Sequence, residues 1–264
     1  QAVADSTAVR VTDGAAGPYV SRAGEKLRGA LDAFNIDLSN AAVLDVGAST
    51  GGFTDCALQK GASSVVCVDC GHDQLDSRLI GDDRVTNLEG INARSLSADL
   101  LPRAEYNAIV VDVSFISLKL ILPAIWPLLS NTEDARLIAL VKPQFECGKE
   151  SVKKGKGIVK DIAEQERALR ELEAFATAEL EDCVVAGSME SPILGGDGQR
   201  EFLMALAIAS KQASELGGPF YEARAVASKE EDAEEEVDPL QPVTMARPKT
   251  AAARAAKHRN DHRK

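Results

Sequence analysis

The sequence predicts an α/β fold, a mostly parallel doubly wound sheet that ends in an antiparallel hairpin. Three observations predict it. Strand-like and helix-like segments alternate from Tyr19 to Ser210, four of the strand segments are continuous apolar runs suited to burial on both faces, and a Gly-rich turn joins the last two strands.

Residues 1–18 are small and polar and read as a linker, with Ala8–Thr12 its one strand-like stretch. Ser21 reads as the N-cap of a helix that carries Leu27, Leu31 and Phe34 on one face. Strands are predicted at Ala42–Gly47, Ser64–Asp69, Arg84–Glu89, Asn107–Val113 and Arg136–Lys142, all but the third being apolar runs. Helices are predicted between them, around Gly52–Lys60, His72–Leu79 and Ser117–Leu129. A longer helix, Asp161–Glu181, opens with Asp161 and Glu164 at capping-box spacing and aligns Ile162, Leu169, Leu172, Ala176 and Leu180. Cys183–Met189 and Arg200–Ala209 then pair across Gly195-Gly196-Asp197-Gly198. Right-handed crossovers put the C-terminal end of every parallel strand on one rim, where ligands bind.

At 264 residues, 45% of them apolar, the chain suits one domain over residues 19–216 with a sizeable core. Its 41 acidic and 30 basic residues give a net charge of −11, which excludes a generally basic nucleic-acid coat. Residues 217–264 differ in kind. Glu230–Asp238 is almost wholly acidic, Met245–Lys264 is basic, and few large apolar residues accompany them. Such a charged tail is expected to be disordered, as a solubilising end or as an arm that touches RNA. The longest apolar stretch, Leu120–Leu129, is about half a membrane span and is broken by Pro123 and Pro127, so no membrane association is expected. Cys67 and Cys70 read C-V-D-C but lack a second ligand pair, so the five cysteines read as free thiols of a reducing, cytoplasmic compartment, with no metal.

The densest chemical signal runs from Val43 to Thr54, where a buried strand passes through small residues into a helix. Small side chains let a ligand approach the backbone, and a helix start offers unpaired N–H groups. Asp45, Gly47, Ala48, Ser49, Gly51, Gly52 and Phe53 are therefore candidate cofactor-binding residues. The dinucleotide spacing G-x-G-x-x-G fails, because Ala48 and Ser49 follow Gly47. An aspartate inside the strand end suits a cationic cofactor better than a pyrophosphate; a tight turn with no ligand is the alternative. Asp69 stands where a carboxylate grips ribose hydroxyls, or caps the strand. Glu89 and Asn92 end the third strand, either to meet an adenine amino group or to lie in solvent. Asp112 and Lys142 occupy equivalent ends of the fourth and fifth strands. They form either a buried ion pair or an acid and base at the binding rim, and the rim position favours the second.

Five ordered motifs carry a resemblance: Tyr19-Val20-Ser21-Arg22-Ala23-Gly24-Glu25-Lys26-Leu27, the stretch Asp45–Asp55, Asp112-Val113-Ser114-Phe115-Ile116-Ser117, Val141-Lys142-Pro143-Gln144-Phe145-Glu146, and Ser191–Leu203. Together they resemble the TlyA-type family, whose members are called hemolysins but are similar to FtsJ-like rRNA 2′-O-methyltransferases. The resemblance implies a Rossmann-like methyltransferase fold, S-adenosyl-L-methionine as methyl donor, ribosomal RNA or a ribosomal subunit as partner, and a catalytic set of Lys26, Asp112, Lys142 and Glu201. Such proteins begin with a small RNA-binding domain, of which Ala8–Thr12 would be the remnant here. In the reaction so implied, Lys142 takes the proton of a ribose 2′-hydroxyl, while Lys26, Asp112 and Glu201 orient and tune. An ordinary lysine, with a pKa of about 10.4, needs a shift of about three units to be half neutral near physiological pH.

Arg22, Lys26 and Arg28, with five lysines between Lys149 and Lys160, are placed to form a phosphate-binding lip on the acidic body. Three rival readings stand beside the methyltransferase: a noncatalytic RNA- or ribosome-binding factor, a membrane-lytic hemolysin, and an NAD-dependent dehydrogenase. The apolar pattern opposes the second and the glycine spacing the third.

Overall fold

The computed structural model describes residues 17–148 and 157–209. Linker residues 1–16, four of the five lysines between Lys149 and Lys160, and the charged tail lie outside these.

Seven strands form one sheet in the order β3-β2-β1-β4-β5-β7-β6. They are β1 (Ala42–Val46), β2 (Ser64–Val68), β3 (Val85–Leu88), β4 (Ala108–Val111), β5 (Arg136–Val141), β6 (Cys183–Glu190) and β7 (Phe202–Ile208). The first five strands are mutually parallel, and β7 enters antiparallel between β5 and β6. Among the described residues the α-helices are α1 (Ala23–Ala33), α2 (Gly52–Gln59), α3 (Ser77–Ile80), α4 (Leu122–Ile125), α5 (Pro143–Glu146) and α6 (Ile162–Glu179). The predicted doubly wound sheet is the one observed.

Both faces of the sheet are covered, which is why its central strands read as unbroken apolar runs. Val43, Val65, Val110, Ile138 and Leu203 face α1 and α2, packing with Leu27, Leu31, Phe53 and Ala57. Leu44, Val66, Ile109, Leu137 and Met204 face the other way, onto Leu122, Ile125, Leu169 and Leu172. The strand order reverses between β1 and β4, so the C-terminal ends of these two strands open a crevice, the usual ligand position in such sheets.

The helices predicted after Ser21, around Gly52–Lys60 and from Asp161 are present, and local physics accounts for the two that differ and for one cap that fails. Asp161 caps α6 by accepting from the Ala163 N–H at 2.9 Å, while the Glu164 carboxylate of the expected capping box accepts from Arg167. The helix predicted over Ser117–Leu129 is instead a 3₁₀ turn, the four-residue α4 and a second 3₁₀ turn. Pro123 and Pro127 each sit in the first turn of a new short helix, because neither can donate within a continuing one. The helix predicted from His72 begins only at Ser77; Asp73 adopts φ 56° and its N–H turns to the Glu89 carboxylate, holding that stretch as a loop. Ser21 does not cap α1. Arg22 precedes the helix, and Ser21 instead lines the crevice described below.

Candidate active site

Above the crevice, β1 runs through Asp45 and Val46 into the turn Gly47-Ala48-Ser49, which feeds α2. Gly47 has φ 84°, and a Cβ there would lie 2.5 Å from the Asp112 carbonyl oxygen at the end of β4. Only glycine lets the two strand ends approach this closely. The resulting cavity of about 240 Å³ is lined by Ser21 and Ala23, by the Gly47–Thr50 turn with Gly52 and Phe53, and by Asp112, Ser114 and Lys142. A second cavity of about 260 Å³, between α2 and α3, contains Arg78 and Arg84, each paired to a nearby aspartate; it gathers no strand-end charges.

Asp112 and Lys142 meet at the wall of the first cavity. Nζ of Lys142 is 2.6 Å from Asp112 Oδ1 and donates to Ser114 Oγ at 2.7 Å. Asp112 Oδ1 is buried and receives no aligned hydrogen bond, so this contact is electrostatic in character. A second pair lies alongside: Lys26, from α1, donates to Glu201 Oε2 at 2.5 Å, with the two residues only 8% and 3% exposed. The pairs are neighbours by register. Val141 pairs with Phe202, so Lys142 and Glu201 are the next residues beyond that rung on adjacent strands. Glu201 fits there because Gly195 has no side chain; a Cβ at 195 would fall 2.3 Å from Glu201 Oε1.

Beneath the turn, Asp45 is fully buried. Thr54 donates to its Oδ2 at 2.6 Å, which leaves the Cys67 thiol, 3.0 Å from the same hydroxyl, as donor to Thr54. Oδ1 of Asp45 has no partner. Desolvation raises the Asp45 carboxyl to about 7, against the opposing hydrogen bond from Thr54. Asp45 does not itself line the cavity; its orphaned oxygen beneath a glycine cradle is the feature that fits a cationic ligand.

Comparison with known proteins decides what this arrangement belongs to. The FtsJ-like methyltransferase family matches residues 19–208, from α1 to the end of β7. The chain belongs to that family. YqxC of Bacillus subtilis, which carries an rRNA methyltransferase name, is 46% identical over 188 residues, covering 71% of this chain. The aligned stretch spans only 65% of YqxC's own length, under two thirds. The Mycobacterium tuberculosis protein named 16S/23S rRNA (cytidine-2′-O)-methyltransferase TlyA is 41% identical, covering 77% of this chain and 74% of that one. A solved structure described as a hemolysin from Streptococcus thermophilus is 42% identical with a TM-score of 0.70, covering 75% of this chain and 70% of that one.

Within this FtsJ-like frame the remaining sequence candidates are more scattered. Asp69 stands at the end of β2 and accepts from the Ser49 N–H at 2.9 Å and the Gly71 N–H at 2.7 Å, which ties it to the glycine turn after β1. Each of its oxygens keeps a lone pair for a further donor. Gly51, with φ 92°, starts α2 against Leu79 rather than on the cavity wall. Glu89 and Asn92 do not line the cavity either. Glu89 accepts from Asn87 and from the Asp73 N–H, which hold its carboxyl below the usual range, and Asn92 caps a 3₁₀ turn through the Arg94 N–H.

Sequence reasoning missed Phe115. It is 92% exposed, holds φ 64°, and meets the Phe145 ring with centroids 5.3 Å apart, in the loop between Asp112 and Ser117. The signal was present as an aromatic residue inside a short motif that also carries Asp112 and Ser114.

Proposed function

We propose that this chain methylates a ribose 2′-hydroxyl of ribosomal RNA, with S-adenosylmethionine as donor, in the cytoplasm beside the ribosomes. The observation that carries the reading is Lys142, whose amine is fixed by Asp112 and Ser114 at the wall of a cavity roofed by the glycine turn. The names of the TlyA relatives supply the substrate class.

When bound, S-adenosylmethionine supplies a methyl group on a sulfonium centre, to be taken by the ribose oxygen with loss of a neutral thioether. Gly47, Ala48, Ser49, Gly52 and Phe53 would form its wall, with Gly51 starting the helix behind them. Asp45 would face its cationic part and Asp69 its ribose, while Glu89 and Asn92, off the cavity wall and engaged in local hydrogen bonds, take no part in holding it. Paired with Asp112 at rest, Lys142 must first give up its own ammonium proton; in its neutral form it accepts the proton of the attacking hydroxyl at Nζ. Asp112 and Ser114 hold that nitrogen in place, so little motion separates the bound state from the reactive one. Glu201 and Lys26, paired beside Lys142 at the start of β7, orient and tune it without lining the cavity. Phe115 offers a ring face on which a base of the RNA can stack.

The experiment is Lys142→Ala with transfer of labelled methyl groups to rRNA, and mapping of the modified riboses. Loss of transfer with cofactor binding intact is expected; near wild-type transfer would reject Lys142 as proton acceptor. Some relatives carry hemolysin names, yet no helix among the described residues is long and apolar enough to cross a membrane.

A further inference from the structure

The two loops that bring Asp112 and Lys142 together are joined a second time, away from the cavity. Glu146 closes α5, four residues after Lys142. Its Oε2 accepts from the Ser117 hydroxyl at 2.6 Å and its Oε1 from the Leu118 N–H at 2.7 Å. Ser117 in turn accepts from the Lys119 N–H at 3.2 Å, starting the 3₁₀ turn that ends the loop. The segment from Asp112 to Leu118 is thus clasped to the segment from Lys142 to Glu146 at both ends. Lys142 grips Asp112 and Ser114 at one end, and Glu146 grips Ser117 and Leu118 at the other. Phe115 stands between the clasps, held outward in a backbone conformation that non-glycine residues seldom adopt.

Burial raises the Glu146 carboxyl above its ordinary value, with Ser117, Leu118 and Lys119 opposing the rise. A desolvated carboxylate is a costly way to fill space that an apolar side chain would fill as well. What an apolar residue lacks is two acceptor oxygens able to take an O–H and an N–H from one neighbouring loop at once.

We propose that Glu146 is a positioning residue for methyl transfer, setting the Asp112–Ser117 loop so that the Lys142 amine faces the cavity and the Phe115 ring faces the RNA. It touches neither ligand and acts through Ser117 and Leu118. The inference rests on the reading of Lys142 and Phe115 given under Proposed function.

The test uses the full chain, ribosomal subunits lacking the modification, and the variants Glu146→Ala, Glu146→Gln and Ser117→Ala. Misplacement of a reacting group by about 1 Å costs on the order of a hundredfold in rate. Glu146→Ala is therefore expected to lower kcat by about ten- to a hundredfold and to raise KM for the subunits. Its calorimetric affinity for S-adenosylmethionine stays within about twofold, because the glycine turn is untouched. Glu146→Gln keeps the acceptor for Leu118 and can donate to Ser117, so it restores most of kcat. Ser117→Ala loses rate in the same sense, and decides the matter if Glu146→Ala fails to fold. Hydrogen exchange of residues 112–118 quickens in Glu146→Ala while β1 and β2 stay protected. Unchanged kcat in Glu146→Ala, or equal losses of kcat and cofactor affinity, overturns the positioning role. An inactive wild type would instead sink the methyltransferase reading.

Discussion

Replacing Lys26 with methionine would leave the Glu201 carboxylate buried against Gly195 without its cation. The pair is 2.5 Å apart and almost wholly screened from water. Breaking a buried pair by removing one partner costs about 3–5 kcal/mol, since the remaining charge is uncompensated. In a domain of this size each kcal/mol moves Tm by about 2–4 °C, so a fall of roughly 6–20 °C is expected. Adding Glu201→Leu removes the orphaned charge, and such apolar replacements of whole pairs are neutral or stabilising by about 1–4 kcal/mol. The double variant should therefore melt near or above the wild type while failing to transfer methyl groups. Thermal melts by circular dichroism and labelled-methyl incorporation into rRNA read the two quantities separately. A double variant that melts as low as Lys26→Met would show that the pair is a net stabiliser. One that retains transfer would remove both residues from the chemistry.

Two other predictions follow from burial and exposure. Asp45 has a folded-state pKa of about 7 against about 4 unfolded, so the folded protein holds its proton more tightly. Its contribution to stability is fully present below about pH 4 and is lost as pH rises toward and through 7, a total of roughly 4 kcal/mol at most. Asp45→Asn should flatten that part of the stability–pH curve in denaturant titrations; an unchanged slope would place the proton elsewhere. Phe115→Ala should leave Tm nearly unchanged, because the ring is exposed. If the ring stacks on a base, worth about 1–3 kcal/mol, KM for RNA should rise by about 5- to 150-fold. An unaltered KM would exclude stacking.

Legibility in the sequence followed how local each signal is. The parallel strands could be read because burial on both faces forces continuous apolar runs such as Ile109-Val110-Val111 and Leu137–Val141. The turn after β1 could be read because close approach to Asp112 demands small residues there. Ser117–Leu129 is helical only in short pieces because Pro123 and Pro127 each interrupt the backbone hydrogen bonding that one long helix would need. The loop before α3 was misread because its anchor, Glu89, lies far along the chain. Lys26 and Glu201 were beyond local reading altogether: 175 positions separate them, and nothing near either residue announces the other. Motif resemblance, not pattern, put them on the candidate list. Phe115 was passed over because its exposure is a tertiary fact.

The antiparallel insertion of β7 explains how residues so far apart share one rim. A parallel strand beside β5 would bring its last residue to the ligand-binding edge, as β4 and β5 bring Asp112 and Lys142 just past their ends. Reversed, β7 brings its start there instead, so the residue just before Phe202 stands beside the residue just after Val141. Glu201 then needs a residue without a side chain behind it, which Gly195 supplies. Lys26 reaches the same point from α1, whose entry segment walls the cavity through Ser21 and Ala23. The rim thus gathers two strand ends, one strand start and one helix, a combination that five parallel strands alone do not offer. Strand direction, more than strand composition, sets which two ion pairs stand side by side at this rim.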